Sequence, residues 1–117
     1  KLDLRLIAAS HTDLNNEIIL GNFREDLYHR LAVIIIDVPH LNSRRDDIPL
    51  LIEYFSKNIS NSQGSEVRKF SKKAIDLMKK SNWTGNVREL RNVIERLIIL
   101  GDEKEISEKN VKDFIKI

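Results

Sequence analysis

Apolar residues in the second half of the chain recur with a period close to 3.6 residues, the spacing of one face of an α-helix. The pattern is clearest after Asn86, and its members are Val87, Leu90, Val93, Ile94 and Leu97. Asn86 is a residue type that caps helix N-termini, and Gly101 follows the pattern where a glycine commonly ends a helix. The segment is therefore predicted to be an amphipathic helix with its apolar face in a core.

Three further helices are predicted on the two sides of this one. The first begins at Asp46 or Asp47, the second is capped by Ser71, and a last short helix is capped by Ser107. The connections between the helices are short, so neighbouring helices are expected to pack against one another. Residues 44–117 are accordingly predicted to form a four-helix bundle.

The first part of the chain has continuous apolar runs instead. Residues 4–10 and 32–38 are apolar through most of their length, which is typical of strands in a parallel sheet covered on both faces. A short helix capped by Thr12 or Asp13 is predicted between them. Two buried strands do not complete a covered sheet, because a sheet needs about three strands or more with helices packed against it.

A second short helix is predicted between the same two runs. Asn22 is its expected N-cap, and Glu25 occupies the capping-box position that follows. Asp26 and Arg30 have the i,i+4 spacing of an ion pair along a helix. Such a pair is the simplest interpretation of Arg30 from the pattern alone.

Together these elements predict a mostly helical fold class in two parts. Residues 1–38 are predicted to be the end of a larger α/β domain, with two strands and two short helices. Residues 39–43 are predicted to be a linker, because the pattern changes there from strand to helix. Residues 44–117 form the all-α part.

Composition excludes several classes of function. The 117 residues are 41% hydrophobic, enough for a core, and carry a net charge of +2, too balanced to predict nucleic-acid or membrane binding by itself. The chain has no cysteine, so disulfides and thiolate chemistry are excluded. No apolar run approaches the roughly 20 residues of a membrane helix, and we expect no membrane contact and a cytoplasmic location.

The residues offer little conventional catalytic machinery. No G-x-x-x-x-G-K-[ST] sequence is present, so the chain has no P-loop of its own. His11, His29 and His40 lack metal-ligand spacing, and no metal site is expected. The candidates that remain are arginines in defined local contexts: Arg24, Arg30 and Arg88.

Arg88 is the most informative of them. It falls in the first turn of a predicted helix, where the helix dipole makes a cation unfavourable by roughly 0.3–1 kcal/mol. An arginine there is explained if an anion binds at the same place, since the guanidinium matches phosphate geometry. The alternative is a solvated arginine paired loosely with a neighbouring acid.

Three segments together resemble the bacterial enhancer-binding activators of sigma-54 RNA polymerase, which are AAA+ ATPases. The segments are FREDLYHRL at 23–31, RRDDIPLL at 44–51 and WTGNVRELRN at 83–92. The resemblance covers essentially the whole chain. It implies that residues 1–38 end the α/β ATPase subdomain and that residues 44–117 are the helical lid. The P-loop and the acidic metal-binding motif would lie before Lys1, so this piece alone is expected to hydrolyse no ATP.

The resemblance also implies roles for individual residues. Arg24 and Arg30 match the arginine fingers, which reach the γ-phosphate of ATP in the neighbouring subunit. Arg88 matches the sensor-2 arginine, which touches ATP phosphates in its own subunit. Ser10 and His11 stand where the family usually has Thr-Asn, and are therefore a degenerate sensor 1.

The implied cofactor of the parent protein is ATP with Mg²⁺, with no tight binding expected for this piece. The implied partners are identical subunits in a ring, sigma-54 RNA polymerase, and enhancer DNA bound through a region outside this chain. The departure at sensor 1 and the segment at 91–97 are similar to the nitrogen-regulation response regulators of two-component systems. Thr84 replaces the family's usual proline in the turn before Arg88.

Two alternatives remain open on the sequence. One is a helical nucleic-acid-binding module, whose basic residues would be Arg44, Arg45, Arg88, Arg91 and Arg96. Acidic residues are interspersed among these arginines, which counts against it. The other is the lid region of a different AAA+ protein, and the segment at 23–31 counts against that.

Overall fold

The computed structural model describes residues 3–101 and 104–115. The chain divides into two units, residues 1–38 and residues 39–117. The predicted ranges also include residues 1, 2, 102, 103, 116 and 117, and these lie outside the described part. In that part, no helix combines the length and the apolar composition needed to cross a membrane.

The first unit contains two short helices, α1 (Leu14–Ile19) and α2 (Glu25–Leu31). Asp13 caps α1 as predicted, because its side chain accepts hydrogen bonds from the backbone N–H groups of Asn15 and Asn16. Neither helix has a buried residue. Local signals therefore define these helices without a core beneath them.

The two predicted strands of this unit do not form within the described residues. Residues 4–10 have no regular secondary structure, and residues 32–38 begin with a turn and continue without regular structure. Their apolar side chains are exposed, with Ile7 at 83% and Ile36 at 81% of full exposure. A strand exists only through hydrogen bonds to a neighbouring strand, and these two segments do not pair with each other.

The second unit contains the four predicted helices, preceded by two turns of 3₁₀-helix. The 3₁₀ turns are Leu41–Ser43 and Arg45–Asp47, and the helices are α3 (Ile48–Ser62), α4 (Lys72–Lys80), α5 (Asn86–Leu100) and α6 (Glu108–Phe114). The N-caps Ser71 and Ser107 are confirmed, since each side-chain oxygen accepts a backbone N–H in the first turn. The Asp47 side chain makes no capping bond.

The core of this unit is built from the apolar faces of the helices. Of the apolar pattern predicted on α5, Leu90, Val93, Ile94 and Leu97 are buried and Val87 is partly buried. Ile98, which the pattern did not include, is buried as well. The other helices and the loops contribute Leu41, Ile48, Ile52, Ile59, Ala74, Met78, Trp83, Ile106 and Val111. Helix α5 packs mainly against α3 and α6, and α4 packs against the same two helices.

A short parallel ladder, which the sequence did not predict, joins two loops of the second unit. Strand β1 (Lys69–Phe70) pairs with β2 (Glu105–Ile106), with Lys69 opposite Glu105 and Phe70 opposite Ile106. The backbone N–H of Ser71 extends the ladder by donating to the Ile106 carbonyl at 2.9 Å. The ladder therefore connects the start of α4 to the start of α6.

Residues 39–43 belong to the second unit and are not a free linker. Leu41 is fully buried in the core, and residues 41–43 form a 3₁₀ turn. The sequence prediction failed here because the partners of this segment, Trp83 and Asn86, lie about forty residues away in the sequence.

Candidate functional site

Arg88 lies in the first turn of α5, as the sequence predicts. Its side chain is exposed, and no carboxylate in the described ranges forms an ion pair with it. The adjacent acid, Glu89, turns back instead, so that its Oε1 lies 3.5 Å from the backbone N–H of Gly85. The alternative of an arginine paired with a neighbouring acid is therefore not what this structure contains.

Gly85 permits that close approach. A Cβ at this position would lie 2.7 Å from the Cβ of Glu89, which is closer than real side chains allow. The glycine thus lets the first turn of α5 fold tightly, with Glu89 beneath the turn. As a result, Glu89 is turned toward Gly85 while Arg88 projects into solvent.

A groove of about 450 Å³ runs along α5 beside Arg88. Its walls come from the turn before α5, from one side of α5, and from the end of α6, and its lining residues are Asn82, Trp83, Gly85, Arg88, Glu89, Asn92, Val93, Arg96, Phe114 and Ile115. Two arginines and a single acid line it, so its charge favours an anionic ligand. The apolar residues could cover a non-polar part of the same ligand.

Hydrogen bonds connect residues 41–45 to the end of α4, to the turn that follows it and to the first residue of α5. The backbone N–H of Leu41 donates to Asn86 Oδ1 at 2.9 Å, and that of Trp83 donates to Asn42 Oδ1 at 2.8 Å. Arg45 Nη1 donates to the carbonyls of Lys79 and Ser81, both at 2.6 Å. The entry to the second unit and the start of α5 are thus held together.

Asn86 is not the N-cap that the sequence predicts. Gly85 occupies the N-cap position of α5, and Asn86 is the first helical residue, with φ of 54°. Its side chain is directed to Leu41 instead of to a free N–H of its own helix. The prediction was wrong because the Asn86 oxygen accepts the backbone N–H of Leu41 instead, a donor distant in the sequence.

Arg24 and Arg30 lie at the two ends of α2 and differ in their contacts. Arg24 is the residue before α2 and forms a two-bond contact with Asp26, Nη2 to Oδ2 at 2.6 Å and Nε to Oδ1 at 3.1 Å. The predicted pair between Asp26 and Arg30 is therefore wrong, because the nearer arginine takes the carboxylate. Arg30 lies in the last turn of α2, exposed and without a carboxylate partner among the described residues.

The predicted capping box at Asn22 and Glu25 does not form either. Asn22 Nδ2 donates to Glu17 Oε2 at 3.0 Å, and Glu25 lies 3.6 Å from His29 Nε2. Helix α2 starts without a side-chain cap. The contacts described at the start of α2, next to Arg24, are therefore all solvent-exposed.

Ser10 and His11 lie in an exposed bend before α1. Ser10 Oγ lies 2.8 Å from Thr12 Oγ1 and accepts from the Thr12 backbone N–H at 3.2 Å. Both residues belong to the first unit and Arg88 to the second. The described residues contain no group of three or more His, Cys, Asp or Glu that could hold a metal ion.

Several arginines of the alternative interpretation, a basic nucleic-acid-binding surface, are engaged in contacts within the protein. Arg45 is occupied by two backbone carbonyls, and Arg91 forms an ion pair with Glu95 at 3.3 Å. Arg44 Nη1 lies 3.9 Å from Asp47 Oδ2. The five arginines therefore do not form one free cationic patch.

The chain matches two family models that together cover nearly all of it. Residues 42–116 match the AAA+ ATPase lid domain, and residues 1–37 match the Sigma-54 interaction domain. The first match covers more than half of the chain. The chain belongs to the sigma-54-dependent AAA+ transcription activators.

Similar proteins include transcriptional regulators of this family. The Transcriptional regulatory protein ZraR of Salmonella typhimurium is 44% identical over 94% of this chain and 25% of its own length. The Nitrogen assimilation regulatory protein NtrX of Azorhizobium caulinodans is 47% identical over 86% of this chain and 22% of its own length. The chain thus spans about a quarter of the length of the curated relatives that it matches.

Solved structures of a relative have the same fold. NtrX from Brucella abortus, in complex with ADP, is 41% identical and superposes with a TM-score of 0.86, covering 94% of this chain and 26% of the other. A second structure of that protein is a complex with ATP. The predicted fold class, an end of an AAA+ α/β subdomain followed by a helical lid, is confirmed by these comparisons.

The sequence did not reveal every residue that shapes the site of this AAA+ chain. Asn42, Arg45 and Asn86 bind partners far away in the sequence, so no local spacing marks them. One property of Asn86 could have been noticed. Apart from glycine, asparagine is among the residue types that best tolerate positive φ.

Proposed function

We propose that this chain is the nucleotide-sensing end of the ATPase domain of a bacterial transcription activator that remodels sigma-54 RNA polymerase. The proposal rests on the Sigma-54 interaction match and on relatives that are transcriptional regulators. The parent protein would act in the cytoplasm as a ring of identical subunits. It would bind enhancer DNA through a region outside this chain. It would be a two-component response regulator, of the nitrogen-regulation branch.

Arg88 carries the nucleotide part of the proposal. It is an exposed arginine in the first turn of α5, beside a groove, with no carboxylate partner in the described ranges. The positive end of the helix dipole and the guanidinium reinforce each other at this point. Both terms favour an anion, and the phosphates of ATP fit this chemistry.

The residues of this chain would supply binding and sensing, and the bond cleavage would depend on the rest of the domain. Arg88 would hold ATP phosphates within its own subunit. The sequence has no P-loop, and the described residues offer no ligand cluster for Mg²⁺. Other parts of the domain would therefore provide most of the contacts to ATP and to Mg²⁺. ATP supplies the phosphoryl group whose transfer drives the remodelling.

Arg24 and Arg30 would be the arginine fingers for the neighbouring subunit. A finger places fixed positive charge where phosphoryl oxygens gain negative charge, an effect of about 10³–10⁵ in rate. Arg30 has no carboxylate partner among the described residues and is ready to act. Arg24 is held by Asp26, so it would have to leave that contact or bind the phosphate through its remaining N–H donors.

Ser10 and His11 would be a degenerate sensor 1. The Ser10 hydroxyl can donate to a phosphate or a water, but in this structure it bonds within its own bend. His11 replaces the amide expected at this position in the family. The pair would therefore give a weaker link between nucleotide state and the moving loop than Thr-Asn does.

Subunit mixing in the full-length protein tests these roles. Subunits with Arg30→Ala and an intact ATP site should lose turnover while keeping nucleotide affinity as monomers. A subunit with a disabled ATP site but intact Arg24 and Arg30 should restore part of that turnover. It should not rescue Arg88→Ala, because Arg88 acts within its own subunit. Arg91→Ala is the matched control, since it removes the same charge from α5 away from the first turn.

The expected size of the Arg88 effect follows from the bonds it would make. Hydrogen bonds to charged groups contribute roughly 1.5–3 kcal/mol, so Arg88→Ala should weaken nucleotide binding about 10- to 100-fold. If the finger variants lose monomer affinity and no mixture recovers turnover, the assignment across subunits is wrong. Unchanged nucleotide affinity in Arg88→Ala would refute the sensor role.

A further inference from the structure

Asn86 has an unusual backbone conformation for its residue type. Among the residues that the structure describes, it is the one non-glycine with positive φ, at 54°. L-residues avoid this region because their Cβ approaches the backbone, and asparagine tolerates it better than most. The conformation places Asn86 at the point where the turn becomes helix α5, two positions before Arg88.

The side chain of Asn86 makes a long-range contact that explains why asparagine stands there. Its Oδ1 accepts the backbone N–H of Leu41 at 2.9 Å, across 45 positions of sequence. Leu41 is the first residue of a 3₁₀ turn, so its N–H has no partner within that turn. Leu41 is also fully buried, and a buried N–H without an acceptor is destabilising.

The other end of the Asn86 amide faces the preceding residue of the same segment. Asn86 Nδ2 lies 3.3 Å from His40 Nδ1, and it donates to that nitrogen when the nitrogen carries no proton. Both ends of the amide are thus directed at residues 40–41. The first residue of α5 is thereby bonded to the segment by which the chain enters the second unit.

A second asparagine holds the same segment at a different place. Asn42 Oδ1 accepts from the Trp83 backbone N–H at 2.8 Å, and Asn42 Nδ2 donates to Asn82 Oδ1 at 2.6 Å. These contacts fix residues 82–83, which precede α5. The partners of Asn42 precede α5, whereas Asn86 belongs to the helix itself, so Asn42 provides a natural comparison for the role of Asn86.

We propose that Asn86 is a positioning residue for Arg88, which fixes the first turn of α5 against residues 40–41 and so aims the guanidinium at the phosphates. This inference rests on the proposed function of Arg88. A displacement of residues 40–41 would move the first turn through the Asn86 contacts. Nucleotide binding at Arg88 and the position of residues 40–41 are therefore coupled.

Three substitutions separate the backbone role of Asn86 from its side-chain role. Asn86→Gly keeps positive φ accessible but removes both hydrogen bonds. Asn86→Asp keeps the acceptor for Leu41, loses the Nδ2 donor that faces His40, and adds a negative charge two positions before Arg88. Asn42→Ala loosens the same segment while leaving the Asn86 contacts to α5 in place.

The test measures the affinity of the full-length protein for ADP and for a slowly hydrolysed ATP analogue. Asn86→Gly should weaken binding roughly three- to tenfold, the equivalent of one hydrogen bond. Asn86→Asp should restore the wild-type exchange rate of the Leu41 amide, because its carboxylate still accepts that N–H. Asn42→Ala should weaken binding less than Asn86→Gly does, because both contacts of Asn86 with residues 40–41 stay in place. In an Arg88→Ala background, Asn86→Gly should cause no further loss, because it acts through the arginine.

Hydrogen exchange at the Leu41 amide gives a readout that does not depend on catalysis. The amide should exchange faster in Asn86→Gly and at the wild-type rate in Arg88→Ala. In the wild-type protein, a saturating ATP analogue should slow this exchange, since binding through Arg88 stabilises the same turn. This last measurement needs no variant, so it decides the question even if Asn86→Gly fails to fold.

The outcomes distinguish the inference from the proposed function. If Arg88→Ala weakens binding but Asn86→Gly does not, Asn86 is only structural and the sensor role stands. If the two losses add in the double variant, Asn86 acts independently of Arg88, and the inference is wrong. If Arg88→Ala leaves affinity unchanged, both the sensor role and the positioning role fail. A nucleotide that leaves Leu41 exchange unaltered also overturns the coupling.

Discussion

The two units of the chain differ in what their apolar residues contact. In residues 39–117 the apolar faces of four helices meet in one core, and Leu41, Leu90 and Ile94 are fully buried. In residues 3–38 no side chain is buried, although the sequence is rich in isoleucine, leucine and valine. An apolar pattern therefore identifies the side chains that are suited to burial. Whether they are buried depends on other elements that pack against them.

Helices and strands respond differently to that requirement. In the first unit α1 and α2 form with no buried residue, because backbone hydrogen bonds and the Asp13 cap are local. The predicted strands at 4–10 and 32–38 do not form, because their hydrogen bonds have to come from another strand. The first unit therefore forms the hydrogen bonds between residues close in sequence, and it does not form those that need a second strand.

The largest expected difference is between the two units made separately. Residues 39–117 should unfold cooperatively on heating, because they contain the whole core. Residues 1–38 should show no cooperative transition, since isolated helices shorter than about 12–15 residues are marginal in water. Circular dichroism against temperature measures both. A sharp transition in residues 1–38 would contradict the comparison.

A matched pair of leucines gives the next largest difference. Leu90→Ala should lower the unfolding free energy of the chain by about 2–5 kcal/mol, because it leaves a cavity in the core. Leu6→Ala should change it by less than about 0.5 kcal/mol, since Leu6 is 75% exposed. Urea titrations of the two variants compare them directly. Equal effects would mean that residues 3–38 share the cooperative core.

Two arginines sharpen the comparison at the level of hydrogen bonds. Arg45→Ala should cost roughly 1.5–3 kcal/mol, because the carbonyls of Lys79 and Ser81 lose a charged donor in a partly buried place. Arg24→Ala should cost less than about 0.5 kcal/mol, since its pair with Asp26 is solvent-exposed. Unfolding at two salt concentrations is the measurement. A large, salt-sensitive loss for Arg24→Ala would show that α2 is held more firmly than its contacts suggest.

Helix caps give the smallest expected difference. Ser71→Ala should destabilise the helical unit by about 1 kcal/mol, because the Ala74 N–H loses its acceptor. Ser71→Asn should restore most of that loss, since asparagine also caps well. Asp13→Ala should leave the thermal transition unchanged, because α1 lies outside the cooperative unit. A shift of the transition with Asp13→Ala would link the two units.

Sequence reasoning succeeded where the signal was local or periodic. The cap at Ser71 and the apolar face of α5 follow from residue type and spacing, and both were predicted. It failed for the ladder between β1 and β2, because two-residue strands are too short to show a pattern.

The candidate site divides in the same way. Arg88 could be singled out because a cation is unexpected in a first helical turn. The contacts of Asn86 and Arg45 could not, since their partners lie more than thirty positions away. The sequence alone does not determine whether Arg24 or Arg30 binds the Asp26 carboxylate, and in the structure Arg24 does.

Trp83 gives the molecule an optical property that follows from its position. It is the one tryptophan in the sequence, it is 2% exposed, and its indole Nε1 donates to the Met78 carbonyl at 2.7 Å. Fluorescence excited at the indole band therefore comes from a single site in the helical unit and carries no signal from residues 1–38. Because Trp83 also lines the groove beside Arg88, a ligand entering the groove changes the surroundings of the emitting ring. Occupancy of the groove and unfolding of the helical unit can both be followed without attaching a dye.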